Sequence, residues 1–396
     1  MKKVVLLVTF LFSFNFMHAQ ERPITVAVPF LLVAADARSA GMADNGVASS
    51  PDAFSQQWNP SKYAFVTDQQ GFSVSYTPYL TALVNDISLA QLTYFNKYSD
   101  KSAFAASFRY FGLGDIELRQ DFDSDVLRVS PNEFAFDLSY SLKLSEKFSM
   151  AVGGRFINSN LKVATANNDA SSSSSFAVDV SGFYQSEEIA YNDFNGRWRA
   201  GFNFQNMGPK MSYDNDDINA NFLPATMKLG GGFDFILDEY STIGVNLEFS
   251  KLMVPTPQVS YNGDSFQGSD MNGDGIVDKT DSDLARNEYK SIGWFSGMFQ
   301  SFTDAPDGFS EELKEVTYSL GSEYVYQDSF SFRAGYFHES PDKGAREFFS
   351  LGAGFKYTSV KVDVSYLFSA SKVQNPLENT LRFSLSFNFG EKYENY

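Results

Sequence analysis

Cysteine is absent from the 396 residues, tryptophan occurs three times and histidine twice. Without a thiol there is no disulfide, no cysteine nucleophile and no thiolate metal site, and two histidines are too few for a His-rich zinc cluster. Past the first twenty residues no window approaches the roughly 18 apolar residues that a spanning helix needs. Helices therefore do not carry this chain across a bilayer. Positive charge is also scarce, with 31 Lys and Arg against 48 Asp and Glu, a formal net charge of −17. Nucleic-acid phosphates would be repelled by such a balance, so no nucleic-acid partner is expected. No glycine-rich phosphate loop is present either.

What the chain does have is aromatic residues, 41 Phe and 21 Tyr, arranged with a period of two. In the stretch from Leu381 to Phe389, Leu381, Phe383, Leu385, Phe387 and Phe389 share one face of a strand, and Arg382, Ser384, Ser386 and Asn388 share the other. The pattern recurs along the chain with no helical layer to cover the apolar faces, and lipid is the simplest place for them. It predicts an all-β fold: a transmembrane antiparallel β-barrel of about 14 strands.

Met1 to Ala19 carries Lys2 and Lys3, an apolar run from Val4 to Phe16 and a small residue before Gln20, the form of a secretory signal peptide. Its removal takes two lysines away and moves the net charge to −19. An exported chain without disulfides must draw its stability from the closed hydrogen-bond ladder. Residues 20–65 are not strand-like. Small residues from Asp36 to Gly46, then Trp58, Asn59, Pro60 and Ser61, predict a compact N-terminal plug or hatch with one or two short helices. A loose exported terminus is the alternative.

Residues 66–396 form the predicted barrel. The first seven strands are expected near Gly71 to Thr77, Asp86 to Phe95, Ser102 to Phe111, Glu133 to Leu142, Lys147 to Asn158, Ser175 to Tyr184 and Gly196 to Gln205. The second seven are expected near Ala225 to Ile236, Thr242 to Ser250, Val316 to Tyr326, Ser329 to His338, Phe348 to Tyr357, Val360 to Phe368 and Thr380 to Phe389. Loop lengths provide a separate check, because outer-membrane barrels alternate short periplasmic turns with longer outside loops. With the N-terminus periplasmic the alternation holds for every connection, and it supports an even strand number. Charges on the expected inner faces, including Arg109, Asp137, Arg155, Asp179, Arg197, Arg199, Glu248, Glu323, Arg333, Lys356, Lys361 and Asp363, predict lumen-filling ion pairs, with a selective aqueous pore as the alternative.

The connection over residues 251–315 is too long to be passive. Asp270, Asn272, Asp274, Asp278 and Asp281 fall at oxygen-ligand positions 1, 3, 5, 9 and 12 of a calcium loop, with the Ile276 carbonyl at position 7 and Gly275 at the sharp turn. Asp at position 12 is shorter than the usual Glu, so weak Ca²⁺ binding at extracellular concentrations is expected. The alternative is a turn-rich loop whose Asp and Asn cap local backbone. Just beyond, Trp294, Phe295, Met298, Phe299 and Phe302 recur at helical spacing. Such a stripe either folds over the barrel mouth or is presented to a partner protein. After leader cleavage His338 is the sole histidine, and nothing around it demands chemistry, so no enzyme is expected.

The start from Pro29, Phe30 and Leu31 to Gly41 and Met42, the Trp58-Asn59-Pro60-Ser61 turn, the Asp-rich loop and the segment from Trp294 to Phe309 together resemble the PorV (LptO) family of the Bacteroidetes type IX secretion system, along the full chain. The Asn59-Pro60-Ser61 turn is also similar to the Asn-Pro-Ala turn in the plug of FadL-type fatty-acid transporters, with Ser in place of Ala. The first resemblance implies a multi-pass outer-membrane protein that receives cargo bearing a C-terminal secretion domain, associates with a SprA/Sov-type translocon, and hands cargo to a PorU-like sortase. The second implies, as an alternative, transport of hydrophobic small molecules. Outer-membrane lipid is the expected surroundings in both cases, and neither requires a cofactor.

Overall fold

A chain whose strands turn apolar faces to hydrocarbon can leave no backbone edge unpaired, because no water is there to satisfy it. The computed structural model, which describes residues 23–80, 84, 86–119, 126–161, 172–213, 220–261, 265–371 and 380–393, meets that demand by closing on itself. The expected leader, Met1 to Ala19, lies outside the described residues. Fourteen wall strands follow in order: β1 Asp68–Pro78, β2 Ile87–Lys97, β3 Ser102–Leu113, β4 Asn132–Ser145, β5 Phe148–Asn160, β6 Ser173–Gln185 and β7 Asn195–Met207. Then come β8 Thr226–Ile236, β9 Ser241–Leu252, β10 Val316–Tyr326, β11 Phe330–His338, β12 Glu347–Tyr357, β13 Val360–Ser369 and β14 Leu381–Lys392. Each expected strand coincides with one of these.

Every strand pairs antiparallel with its neighbours in sequence, and β14 pairs with β1, placing Phe387 opposite Phe72 and Phe383 opposite Tyr76. Alternation decides which face is which. On β14, Leu381, Phe383 and Phe389 are 44%, 45% and 46% exposed, whereas Arg382, Ser384 and Ser386 are buried. The apolar face thus looks outward, the reverse of a soluble sandwich, as a lipid-facing wall requires. Rings touch from strand to strand around this outer belt, Phe108 to Phe134 to Phe156 to Phe176, with centroids 5.2–6.1 Å apart. No helix among the described residues is long and apolar enough to cross a membrane.

The short connections gather at one mouth, where β1 starts and β14 ends. Between β10 and β11, Gln327 and Asp328 both adopt left-handed backbone, the geometry that matches the twist of a tight hairpin. The long connections lie at the other mouth. There the segment between β9 and β10 carries three helices, and two one-turn helices precede the barrel: α1 Ala37–Ala40, α2 Ser55–Trp58, α3 Lys279–Ser291, α4 Trp294–Gln300 and α5 Phe309–Lys314.

Candidate functional site: the barrel lumen and the loop over its mouth

Most of the chain from Ala27 to Val66 is buried, and its polar groups bond to the inner faces of strands from β1 to β14. Ala37 N–H donates to Ser384 Oγ and Ala43 N–H to Ser350 Oγ, both at 2.8 Å. The Gly46 and Val47 N–H groups both donate to Glu248 Oε2, at 2.8 and 2.9 Å, while Lys228 Nζ holds the other oxygen at 3.2 Å. Arg109 on β3 reaches the Leu31 carbonyl at 3.0 Å. Lys62 Nζ donates to the Gly46 carbonyl and Ser49 Oγ, and burial pulls its ammonium down to about 8. A buried polar group without a partner costs as much as a lost hydrogen bond, so this many bonds to the wall hold the segment in one place.

The Trp58-Asn59-Pro60 turn is central to that seating. Trp58 Nε1 donates to Asp36 Oδ1 at 2.6 Å, and the ring lies 4.6 Å under Lys228 Nζ. Asn59 Nδ2 donates to the Val47 carbonyl at 2.9 Å and to the Gly182 carbonyl on β6 at 3.0 Å, while its side-chain oxygen accepts from Ser61 N–H. Pro60 opens the next 3-10 turn, where its missing N–H costs nothing. On β7, Gly201 faces this turn. A Cβ there would stand 2.4 Å from the Val47 carbonyl oxygen, so the wall needs glycine at that point.

Most inner-face charges pair as expected, whereas Arg109 is held by Gln91 and the Leu31 carbonyl instead of a carboxylate. Arg155 lies between Asp137 and Asp179, the latter at 3.0 Å, and Arg333 joins Glu323 at 2.7 Å and Asp363 at 2.8 Å. Arg199 pairs with Asp234, and Glu248 with Lys228. Arg197, Lys356 and Lys361 are less buried than the others. Between residues 23–33 and the wall of β8 to β11, a cavity of about 520 Å³ remains. Ile24, Val26, Leu32, Tyr79 and Phe337 give it an apolar side, and Lys228, Glu248, Lys343 and Arg346 a charged one.

The long loop is latched to the rim by a buried network. Lys251 Nζ at the end of β9 meets Glu312 at 3.1 Å and Glu315 at 2.5 Å, and Lys343 meets Glu311 at 2.6 Å and Glu315 at 2.9 Å. Thr256 Oγ1 donates to Glu315 at 2.6 Å. Asp304 accepts from Thr256 N–H, and burial, with the Glu312 and Glu315 charges nearby, pushes its carboxyl up to about 6. None of these residues stood out in the sequence, because they come from three separate stretches that only the fold brings together.

The stripe, expected either to fold over the barrel mouth or to be presented to a partner, faces both ways. Met298 is buried with Ala225 and Met253, and Trp294 packs against that cluster. Phe295 and Phe299 on the same helix are 59% and 65% exposed, and Phe302 just beyond it is exposed as well. The seven residues of α4 make only two turns, so positions 294 and 298 meet the rim while 295 and 299 point away. Phe309 and Leu313 of α5 add to the exposed apolar surface.

In the Asp-rich loop the carboxylates are engaged with backbone. Asp270 accepts from Gly273 and Gly275 N–H, Asn272 Oδ1 from Asp274 N–H, and Asp274 from Ile276 N–H, all between 2.7 and 2.9 Å. Asp278 caps α3 through Thr280 N–H. Asp281 is buried and accepts from the N–H groups of Asp278, Met271 and Asn272, which hold its carboxyl below the ordinary range. Among the described residues no three His, Asp or Glu side chains stand close enough to hold a metal ion. Local caps and turns account for the geometry of this loop as it stands.

His338 ends β11, stacked on Tyr318 at 4.9 Å, with Nδ1 3.9 Å from a Glu347 oxygen. Neither neighbour is a nucleophile of the serine or cysteine kind.

The family model for type IX secretion system protein PorV matches residues 16–259 of the chain. No curated protein matches it. Among solved structures, the chain is similar to a TodX deltaS2S3 mutant monoaromatic hydrocarbon channel, at 13% identity and TM-score 0.48 over 89% of this chain and 98% of that one. It is also similar to a FadL homologue of Pseudomonas aeruginosa, at 11% identity and TM-score 0.44 over 93% and 100% of the two chains. The toluene transporter TodX of Pseudomonas putida gives 11% identity and TM-score 0.46 over 88% and 95%.

Proposed function

Since the chain belongs to the PorV family of type IX secretion system proteins, we propose that it is an outer-membrane shuttle and docking subunit without enzymatic activity of its own. In this role the barrel anchors the protein, residues 23–66 act as its plug, and the long loop engages partners outside. Those partners are a SprA/Sov-type translocon, the C-terminal domains of secreted cargo, and a PorU-like sortase that receives the cargo. The observation that carries the proposal is the exposure of Phe295, Phe299, Phe302 and Phe309 on a loop that is itself latched to the rim by Lys251 and Lys343. Apolar rings held rigidly in water are surface prepared for a protein partner, since ordering them has already been done.

Deletion of Ser291 to Phe302 tests it. The deleted protein should remain a heat-resistant barrel yet no longer co-purify with the translocon in gentle detergent, and unchanged co-purification would exclude this segment as the docking element. The orientation proposed here, with the long loop outside and the N-terminus periplasmic, predicts cleavage of residues 251–315 by protease added to intact cells.

The cavity of about 520 Å³ beside residues 23–33 favours a second reading, transport of a hydrophobic small molecule. Loss of such uptake in a deletion strain that still secretes cargo would select it over the first.

A further inference from the structure

The short-turn mouth carries, over part of its rim, a charge opposite to that of the chain. Against a formal net charge of −17, the cations Lys97, Lys101, Lys143, Lys147, Arg197 and Lys392 line one cavity of about 690 Å³ on the lumen side of this mouth. They come from the end of β14, the β2–β3 turn, the end of β4 with the turn that follows, and the start of β7, one arc that runs from β14 through β1 to β7. Just past that arc the sign reverses. Asp238 and Glu239 in the β8–β9 turn are exposed, and Asp328 in the β10–β11 turn meets Lys356 at 2.6 Å.

Among the described residues that line the cavity, four carboxylates, Asp100, Glu146, Glu187 and Glu188, stand against those six cations. Lys97 Nζ donates to the Val66 carbonyl at 2.8 Å and lies 4.9 Å over the Tyr393 ring, and Lys143 Nζ lies 4.6 Å over the Phe65 ring. Those partners are neutral, so they position the ammonium groups without cancelling their charge. Lys147 meets Glu187 at 3.0 Å and Arg197 meets Glu188 at 3.6 Å, and all four side chains are part exposed. Exposed pairs contribute little, so carboxylates from outside can compete for both cations.

We propose that this arc of the mouth docks an acidic, extended segment of a soluble protein. Spacing selects the occupant. From β14 to β7 there are seven strand-to-strand steps, and at about 4.8 Å each they spread the cations along roughly 30 Å of rim, more than a small anion can touch at once. An extended chain advances about 3.3 Å per residue, so about ten residues cover the same arc and bring carboxylates to successive cations. Phe65, Leu144 and Tyr393 supply apolar contact between the charges. A longer polyanion such as nucleic acid would overrun the arc onto Asp238 and Glu239. The proposal needs only that this mouth opens to water, and it does not rest on the role given to the long loop.

The test uses the full chain in uncharged detergent, with a fluorescein-labelled decaglutamate peptide as probe and a Gly-Ser peptide of equal length as control, read by fluorescence anisotropy. Decaglutamate should bind at low salt, where the net charge of the protein alone would repel it, and binding should weaken as salt rises. Lys101→Glu with Lys147→Glu should weaken binding by about tenfold or more. Lys279→Glu, on α3 at the far mouth, should leave it unchanged. Resistance of the folded barrel to heat in detergent checks each variant, and Lys392→Glu, at the exposed end of β14, decides alone if the double variant fails to fold. No binding of decaglutamate, equal binding of the control peptide, or binding that survives the double variant would overturn the proposal. So would equal loss with Lys279→Glu, the signature of attraction to the whole chain, or displacement by inorganic phosphate at matched ionic strength, the signature of a small-anion site.

Discussion

Arg38, in the first helical turn before the barrel, donates from Nε and Nη2 to the two oxygens of Glu323 on β10, at 3.1 and 2.6 Å. Both side chains are almost wholly buried, and a bidentate pair of this kind fixes orientation as well as distance. Removing one partner leaves Glu323 with Arg333 alone, or Arg38 with Asp52 alone, and breaking a buried pair costs up to about 3–5 kcal/mol. Arg38→Ala and Glu323→Ala should each lower the temperature at which the barrel unfolds in detergent and expose residues 27–66 to protease. Arg38→Met combined with Glu323→Leu should cost less than the two single losses added together, although Asp52 then loses Arg38 and Arg333 keeps only Asp363.

The two faces of α4 separate by mutation. Phe295→Ser with Phe299→Ser should abolish partner co-purification and leave the loop as protected from hydrogen exchange as before. Met298→Ala should do the opposite, costing about 2 kcal/mol or more of local packing and raising exchange across Trp294–Gln300, because it empties a buried site against Ala225 and Met253. Identical behaviour of the two variants would refute the division of the helix into a rim face and a partner face.

Asp304 makes the loop sensitive to pH. Burial raises its folded-state carboxyl to about 6, above its unfolded value, so the folded loop binds the proton more tightly. The resulting stabilisation is complete below the unfolded value and disappears as pH rises through about 6. Protease protection of residues 251–315 should therefore be greater at pH 5 than at pH 7.5. Asp304→Asn should flatten the difference, and a dependence that survives the substitution would assign it to another group.

Calcium affinity of the Asp-rich loop remains a proposal with a direct measurement. If the oxygen pattern from Asp270 to Asp281 takes up the ion, millimolar Ca²⁺ should protect the loop from protease relative to chelator, and Asp270→Ala should remove the protection. Asp281→Ala should loosen the loop even in chelator, because three backbone N–H groups lose their acceptor. Protection that never changes with Ca²⁺ would leave backbone capping as the whole role of these side chains.

The wall was legible in the sequence because a period of two is a local property. From Phe72 on β1 to Phe389 on β14, each strand shows its outward face without reference to any other. The lumen was half legible: that Arg155 and Arg333 would find carboxylates follows from their inward position, but Arg38 as a partner of Glu323 does not, since residues far apart in sequence meet only when the barrel closes. The helix α3 was missed because Lys279 to Ser291 carries few apolar residues to show a face, and its start is set by the Asp278 cap. Likewise α5 forms a helix held by the Glu311, Glu312 and Glu315 contacts, whose partners Lys251 and Lys343 lie far away in sequence. The cations of the short-turn mouth were hidden in an acidic total, because Lys97, Arg197 and the pair Lys143 and Lys147 arrive from three different hairpins.

The seam between β1 and β14 has a bearing on biogenesis. Phe72 can meet Phe387 only after nearly the entire polypeptide has been delivered, so every earlier hairpin must wait with one ladder half satisfied. A chain truncated before Leu381 would leave two raw edges, the kind of template on which strands from other molecules add. Insertion is therefore committed by the twelve residues of β14, and a ribosome or exporter that stalls short of them yields no partial cylinder that could serve in its place.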